Sequence, residues 1–556
     1  MSDLLNFKLK KMKKIIAFLA MVVFLTNCKK SDLKLDDPNS PTPVGALASV
    51  KGVEQFALGM WSKLYVGNNL LVHTMNMHSF MGDEQWCSAG NWGWRYVNQV
   101  DKITLPAPYN KVIPGVLVID QPTQLRALNN LSATNGSQTN ALIYEWNLAY
   151  FANGQANFLL QAIENPAITI PPTEKAILQA WAYWWKGFAY SRVGSMYVAG
   201  IINDKTDGTT TTEYKTRQQM IAEATINFDK AAALLAPIAA ADPLYTSTMT
   251  AIIPAFNRPT PNVVITPQMW IRGINTYKAR NILVNKKVAE LSAADLAEIK
   301  TLSAAGLIQG DITFLLGISA VAAEGISPNN QQHVLLWNSH ANNPGWMYPS
   351  ERWVQDFKTG DQRFVKGVST LPVAEVNRQA RGYQFGGRYF FTAIQNGGFW
   401  STNARTGFAN FAGSWEENLL MRAETEIRSN NIEAGLAFVD QVRTGNGAGL
   451  AATVGTGLNQ AQALEELRKE RRIALTLKGT AFYDARRWGV ISKASAGGGR
   501  ANANVLISNA EIGATPAGGF TVVPSLIDYN YWDYWDVPVH ELSYNAPGSG
   551  SPAVAN

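Results

Sequence analysis

Two long helical patterns joined by a proline-rich turn are the feature that most constrains the fold of this chain. In residues 141–164, apolar side chains recur at three- and four-residue spacing, and an Asn-Pro step then ends the pattern. Residues 174–197 repeat this spacing after a Pro-Pro-Thr sequence, which is typical of a helix start. We therefore expect an antiparallel helix pair.

Further helical patterns predict more such pairs, at 213–235, 273–290, 416–429, 432–443, 460–478 and 480–488. Alanine and glycine recur where helices would pack closely, which resembles tetratricopeptide-type pairs. Long insertions rich in Gly, Asn, Pro and aromatic residues separate them, at about 80–130, 240–270 and 310–415. The expected fold is mainly α: a scaffold of tetratricopeptide-like helix pairs with a large irregular, loop-rich half that contains short strands.

The N-terminus predicts export and lipidation. Five lysines precede an apolar run, Ile15–Leu25, which is too short to cross a bilayer and is followed by Cys28. This pattern resembles a bacterial lipobox and predicts a signal peptide in 1–27, a lipid anchor and tether in 28–43, and one binding domain in 44–556. The alternative is an ordinary signal peptide that ends near a cysteine, but it would expose a free thiol in an exported protein.

Charge and cysteine content exclude some classes of function. The net charge is +6, but residues 1–27 hold five lysines and one aspartate, so +4 is lost with the signal and +2 remains. No basic patch suited to nucleic acid is left. Cys87 is the one other cysteine, and we predict that it is a small buried hydrophobic residue without a disulfide partner.

An aromatic segment at 86–96 is a candidate ligand surface. If it is extended, its period-two spacing puts several rings on one face. Flat rings stack on the apolar faces of sugars, while amide and guanidinium groups bond their hydroxyls. The same alternation also fits the core side of a half-buried strand, and this alternative stays open. The candidate residues are Trp86, Asn91, Trp92, Trp94, Arg95 and Tyr96.

A second aromatic segment at 337–348 lies in a Pro/Gly-rich loop, where rings are harder to bury than on a helix. Its candidate residues are Trp337, Asn342, Trp346 and Tyr348, with packing as the alternative role. In contrast, a helical stripe predicts that Trp181, Trp184 and Trp185 belong to the core.

Enzyme signatures are largely missing from the sequence. The five histidines form no metal-binding pattern, and there is no Gly-x-Ser-x-Gly motif. We predict a binding protein without catalytic residues, metal ligands or a cofactor, and the residues leave a bound calcium ion open. A glycoside hydrolase is the alternative, and Asp83 and Glu84 are then the first carboxylates to consider.

The C-terminal third carries a family resemblance. Residues 464–489 combine Glu470-Arg471, Gly479, Phe482, Asp484 and Arg486-Arg487-Trp488-Gly489 at the spacing seen in the SusD/RagB family. Ala474, Lys478 and Ala481 depart from the usual family residues. The segments 411–449 and 537–547, and LDDPNSPT after the cysteine, are also similar to the family. From its composition, the cluster of Arg486 and Arg487 with Asp484 is interpreted as a structural ion-pair network.

The resemblance implies a fold and a function. SusD-like proteins are lipid-anchored on the extracellular face of the outer membrane. They bind glycans and deliver them to a SusC-like TonB-dependent transporter, without covalent chemistry and without nucleic acid. A peptide-binding relative within the same family is the alternative.

Overall fold

The computed structural model describes residues 47–61, 70–87, 93–114, 120–135, 140–260, 262–319, 339–340, 343–344, 347–376, 386–391 and 406–556. The chain divides into two units, Met1–Val53 and Glu54–Asn556. Of the first unit, residues 47–53 are described, and helix α1 begins there. The predicted signal peptide (1–27) and the whole predicted tether (28–43) lie outside the described residues.

Helices dominate the described chain. In order they are α1 Val50–Gly59, α2 Leu70–Met81, α3 Trp94–Val97, α4 Gln121–Asn135, α5 Leu142–Ile163, α6 Pro172–Met196, α7 Arg217–Leu235, α8 Pro243–Ile252, α9 Pro267–Val284, α10 Ala293–Ala304, α11 Glu351–Gln355, α12 Gln362–Gly367, α13 Trp415–Arg428, α14 Ile432–Gly445, α15 Gln460–Ala474, α16 Ala481–Arg487, α17 Asn509–Ile512 and α18 Val539–Tyr544.

The described strands are two to nine residues long. They are β1 Gln85–Cys87, β2 Lys102–Leu105, β3 Lys111–Pro114, β4 Ala199–Gly200, β5 Lys215–Thr216, β6 Leu315–Ser319, β7 Ser339–His340, β8 Asn343–Pro344, β9 Met347–Pro349, β10 Val368–Glu375, β11 Gly387–Phe391, β12 Thr406–Asn410, β13 Arg500–Ser508 and β14 Phe520–Asp528. The largest described sheet is antiparallel in the order β13-β14-β2-β3, while the others are two-stranded. This confirms a mainly α fold with short strands.

The predicted helices form, with shifts of up to six residues at their ends. Helices α5 and α6 match their predictions within two residues. The helix predicted at 273–290 instead spans Pro267–Val284. It begins six residues early because the Thr266 side chain accepts a hydrogen bond from the Met269 N–H and Pro267 occupies the first turn. All three predicted insertions also contain helices that the pattern missed, namely α3, α4, α8, α11 and α12.

A cluster of aromatic rings forms the centre of the helical scaffold. Trp181, Trp184 and Trp185 of α6 are no more than 2% exposed, which confirms that they are core residues. They lie within 4.5–6.2 Å, centroid to centroid, of rings from other elements or from the next turn of α6. These neighbours are Trp61, Phe188, Trp270, Phe314 and Phe411.

Helices α13, α14 and α15 form a second apolar layer. Leu420, Leu436, Val439 and Leu467 are each 1% exposed or less and pack together. At about 25 cal/mol per Å² of apolar surface, this burial is the main force that holds the C-terminal helices together. The buried arginine and glutamate side chains of these helices lie next to this apolar layer.

Candidate functional site

The two aromatic segments predicted to bind ligand are brought together by one small antiparallel ladder. Strand β1 pairs with β9, so Trp86 lies opposite Tyr348 and Cys87 lies opposite Met347. The chain continues from Cys87 into residues 88–92, and residue 346 precedes Met347. Both segments, far apart in sequence, are therefore attached to the same end of the ladder.

Within this ladder, the Trp86 and Tyr348 side chains face each other and not solvent. Their rings stack with centroids 5.1 Å apart and planes inclined by 24°, and both side chains are 0% exposed. Cys87 is buried beside them, as predicted. Burial supports the packing alternative for Trp86 and Tyr348, because neither ring presents a face to a ligand.

The period-two interpretation is wrong for Trp94 and Tyr96. Gly93 has a φ of 76°, and the chain then forms the short helix α3 instead of an extended strand. Trp94 is fully buried against His73 and Phe80, with ring centroids 5.5 and 5.6 Å away, and Tyr96 is also buried. The alternation of rings with Gly and Arg is typical of a strand. It does not reveal that Gly93 adopts a left-handed conformation, which ends the extended chain and starts α3.

The other candidate residues stay predictions. Asn91, Trp92, Trp337, Asn342 and Trp346, together with the Arg95 side chain, lie outside the described part of the structure. Cys28 also lies outside it, so lipidation at that residue stays a prediction.

Below the ladder, Asp83 is the centre of a buried ion-pair network. Arg352 contacts its carboxylate in a bidentate geometry, with Nε–Oδ2 and Nη2–Oδ1 distances of 2.9 and 2.7 Å. Ser350 Oγ donates a hydrogen bond of 2.8 Å to Oδ1, and Tyr529 OH donates one of 3.2 Å to Oδ2. Arg500 Nε lies 3.4 Å from Oδ2. Burial by itself would raise the pKa of Asp83, but the charge and hydrogen bonds of Arg352 outweigh it and lower the pKa to about 2.

Arg472 of α15 ties this network to the helical scaffold. Its Nη1 and Nη2 donate to the carbonyl oxygens of Gly82 and Asp83, at 2.7 and 2.9 Å, while its Nε pairs with Asp356. The turn between α2 and β1 is therefore held by a guanidinium from the family-like C-terminal segment. This contact fixes the base of the ladder from which both aromatic segments continue.

Glu84 is buried beside Asp83 but has the opposite ionisation behaviour. Its Oε2 accepts hydrogen bonds from Ser79 Oγ at 3.0 Å and from the Leu477 N–H at 3.3 Å. Burial raises the pKa of Glu84 to about 8, although the nearby charge of Arg472 opposes this shift. The carboxyl group is therefore protonated at neutral pH.

Two neighbouring carboxyl groups with separated pKa values would suit acid–base catalysis. Here Asp83 and Glu84 are 2% and 1% exposed, and the Asp83 oxygen atoms are occupied by Ser350, Arg352 and Tyr529. A glycosidic bond cannot approach either group in this arrangement. The geometry therefore supports a structural role for these two carboxyl groups. It disfavours the hydrolase alternative in which Asp83 and Glu84 are the catalytic pair.

The family-like C-terminal motif forms further buried ion pairs, which confirms the structural interpretation of Arg487 and Asp484. Arg486 differs from the prediction, because its guanidinium donates to the carbonyl oxygens of Ser195, Val284 and Asp533. Arg487 pairs with Glu424 through two hydrogen bonds of 2.7 Å and with Asp484 at 2.7 Å. Asp484 also pairs with Arg471 at 2.9 Å. A second group joins Glu470 to Arg363 and Arg443.

The histidines in the described residues do not form a metal site. No group of three or more His, Cys, Asp or Glu side chains there is arranged to hold a metal ion. His73 and His78 of α2 lie in the core, and burial lowers the pKa of His73 to about 3. His73 therefore stays neutral at physiological pH.

Sequence reasoning missed a half-exposed pair on β11, Arg388 and Tyr389. Glu351, which is fully buried, accepts hydrogen bonds from Arg388 Nε at 3.0 Å, Nη2 at 2.8 Å and the backbone N–H at 3.0 Å. The Arg388 side chain remains 40% exposed and lies over the Tyr389 ring, 5.3 Å from its centroid. The only sequence signal was an Arg-Tyr-Phe-Phe run, which is typical of any strand.

Solved structures of other proteins share the fold of this chain. A SusD-like protein from Bacteroides fragilis NCTC 9343 superposes with a TM-score of 0.55 and 14% identity, over 92% of this chain and 99% of that one. A putative sugar binding protein from Bacteroides vulgatus ATCC 8482 superposes with a TM-score of 0.54 and 12% identity, over 91% and 98%. The fold is therefore that of SusD-like proteins.

The sequence supports the same assignment more directly. Residues 345–536, which include β9 and the C-terminal ion-pair motif, match the SusD family. This segment, about a third of the chain, is therefore similar in sequence to the SusD/RagB family. No curated protein sequence matches it. Across the described residues, no helix is both long and apolar enough to cross a membrane.

Proposed function

We propose that this protein captures oligosaccharides or polysaccharides at the cell surface and delivers them to a SusC-like TonB-dependent transporter. The match of residues 345–536 to the SusD family and the SusD-like fold support a carbohydrate ligand. One relative with the same fold is described as a putative sugar binding protein. The observation that carries the proposal is the β1–β9 ladder, because it attaches two aromatic, amide-rich segments at one place.

The chemistry of these segments suits a sugar. Trp92 and Trp346 supply flat rings for the apolar faces of pyranose residues, and Asn91 and Asn342 supply amides for their hydroxyl groups. A rigid base lowers the cost of ordering such loops around a flexible ligand. The buried Asp83 network supplies this base, and capture needs no catalytic group.

A binding assay with the purified protein tests this function. We expect slower migration in native gels cast with at least one polysaccharide, and no release of reducing sugar during incubation. Replacing both Trp92 and Trp346 with alanine should weaken retardation by about tenfold, because each lost ring removes a stacking contact of about 0.5–1.5 kcal/mol.

The matched control is Trp488→Ala, which removes a half-buried indole at the end of α16, where its ring contacts the guanidinium groups of Arg468 and Arg487. It should leave retardation unchanged. Retardation by peptides and by no glycan would favour the peptide-binding alternative, and release of sugar would revive the hydrolase. Equal loss in the control would show that the tryptophan effect is not local.

We also propose that Cys28 is lipidated and anchors the protein to the extracellular face of the outer membrane. A bacterial lipoprotein carries several acyl chains, and stable anchoring requires more than one. Attachment near the transporter raises the effective concentration of captured ligand, so modest affinity suffices for delivery.

Replacing Cys28 with alanine should release the protein from membranes into the soluble fraction. The measurement is fractionation of cells that express each variant, followed by detection of the protein in pellet and supernatant. Cys87→Ala is the control, because Cys87 is the other cysteine and is buried in β1. It should remain membrane-bound; attachment of Cys28→Ala at the wild-type level would contradict the anchor.

A further inference from the structure

Arg388 is a guanidinium that the fold holds in place while it faces solvent. The buried carboxylate of Glu351 fixes Nε and Nη2, and Ser350, which caps α11, holds the start of the helix that carries Glu351. Within the described residues, no contact involves Nη1 of Arg388. An arginine side chain normally loses rotamer entropy when it binds a ligand. Here the contact with Glu351 already fixes the Arg388 side chain in the folded protein, so ligand binding costs less entropy.

Tyr389 completes a small polar-aromatic surface next to this guanidinium. Its hydroxyl lies 3.4 Å from Arg388 Nη2, and its half-buried ring packs edge-on against Phe364 at 5.9 Å. Phe364 therefore fixes the orientation of the ring. An aromatic face beside preset N–H donors offers a sugar both kinds of contact that it needs.

The pair lies directly beside the β1–β9 ladder. A Cβ added to Gly387, the residue before Arg388, would be 2.5 Å from Trp86 Nε1 and 3.5 Å from the Pro349 carbonyl oxygen. The β11 backbone thus packs on the same two strands that carry the aromatic segments.

We propose that Arg388 and Tyr389 form a binding subsite for a neutral sugar residue of the glycan. This inference rests on the proposed function and adds the ligand class. Glu351 neutralises the charge of Arg388, so a sugar carboxylate gains little attraction there and meets the negative charge of Glu351. Hydroxyl oxygens accept hydrogen bonds from Nη1 without this repulsion, while the ring of Tyr389 stacks on the sugar.

Affinity measurements on variants of the purified protein test the subsite. The probes are neutral polysaccharides (amylopectin, galactomannan and arabinoxylan) and acidic ones (polygalacturonate and alginate). With the retarding neutral glycan, Arg388→Ala and Tyr389→Ala should each weaken binding by about tenfold. Arg388→Lys should not restore binding, because an ammonium group cannot hold the bidentate contact with Glu351 and also present Nη1. Tyr389→Phe keeps the ring and should bind within about twofold of wild type.

The matched control is Tyr183→Ala on α6, since Tyr183 is also a half-buried tyrosine with a cation, Lys230, at 5.2 Å from its ring. It should bind like wild type. Thermal unfolding of every variant separates loss of the subsite from loss of the fold. Changing the salt concentration from about 0.05 to about 0.5 M should leave wild-type affinity unchanged, because a neutral sugar forms no ion pair with Arg388 that salt could screen.

Each outcome decides between the two proposals. Retardation of wild type by a neutral glycan, with unchanged binding of Arg388→Ala and Tyr389→Ala, overturns the subsite and leaves capture standing. Retardation only by acidic glycans, lost at high salt, overturns the neutral class. Absence of retardation by every glycan overturns the subsite together with the proposed function.

Discussion

Replacing Asp83 with asparagine should lower the free energy of unfolding by about 3–5 kcal/mol, the cost of breaking a buried ion pair by removing one partner. The side chains of Asp83 and Arg352 are 3% and 2% exposed, so the remaining guanidinium has no water to compensate it. Asparagine keeps the shape of the side chain and tolerates the φ of 58° at this position. The effect therefore reports charge, measured by urea unfolding at neutral pH.

A surface ion pair of similar length is the control for this variant. Lys175 Nζ and Glu164 Oε2 are 2.8 Å apart, with side chains 35% and 58% exposed. Glu164→Gln should cost less than about 1 kcal/mol, because water replaces the lost contact. Equal losses in the two variants would contradict the view that burial gives Asp83 its importance.

Sequence patterns correctly predicted those helices and ion pairs whose contacts are close together in the sequence. The stripe of Trp181, Trp184 and Trp185 gave helix α6 and its buried face correctly. Asp484, three residues before Arg487 on α16, indicated the ion pair that these two side chains form. In each case the residues that interact are close enough in sequence, or regular enough in period, for a pattern to reveal them.

The candidate site could not be predicted in the same way, because its contacts are long-range. Asp83 binds Ser350, Arg352 and Tyr529, which follow it by 267, 269 and 446 positions. A single sequence does not show such pairs. The burial of Trp94 likewise depends on the left-handed turn at Gly93 and on α2, so an alternating pattern could not distinguish a binding face from a core.

The Asp83 network also has a consequence for how ligand affinity and stability are related. Arg352, Arg472 and Arg500 join β1, α11, α15 and β13 at the base of the ladder. Variants in the network should therefore change stability first and affinity second, through the position of β1. Variants at Trp92 or Trp346 should change affinity alone, and this difference separates the supporting frame from the proposed ligand contacts.

Replacing Glu84 with glutamine should stabilise the protein at alkaline pH and have little effect at acidic pH. The pKa of Glu84 is about 8 in the folded protein, against an ordinary value of 4.5. Below about pH 4.5 both states are protonated and the substitution changes nothing. Between these values the folded state keeps a proton that the unfolded state releases, so wild type loses about 1.4 kcal/mol of stability per pH unit. The advantage of Glu84→Gln should grow to about 3–5 kcal/mol near pH 8 and then stay constant.

Asp83→Asn gives the opposite pH dependence and is the internal control. Its folded pKa of about 2 lies below the ordinary value of 3.8, so the stability that Asp83 supplies is present above about pH 4 and is lost as the pH falls through about 2. The free energy of unfolding should therefore be measured from pH 3 to 9 for both variants. The difference between Glu84→Gln and wild type should grow with pH and plateau near pH 8, while the difference between Asp83→Asn and wild type should shrink toward acidic pH. A Glu84→Gln difference that is constant from pH 5 to 9 would mean that Glu84 is already ionised in the fold. Its carboxyl would then need a compensating cation at the base of the ladder, and Arg472, whose charge favours the ionised form of Glu84, would supply it.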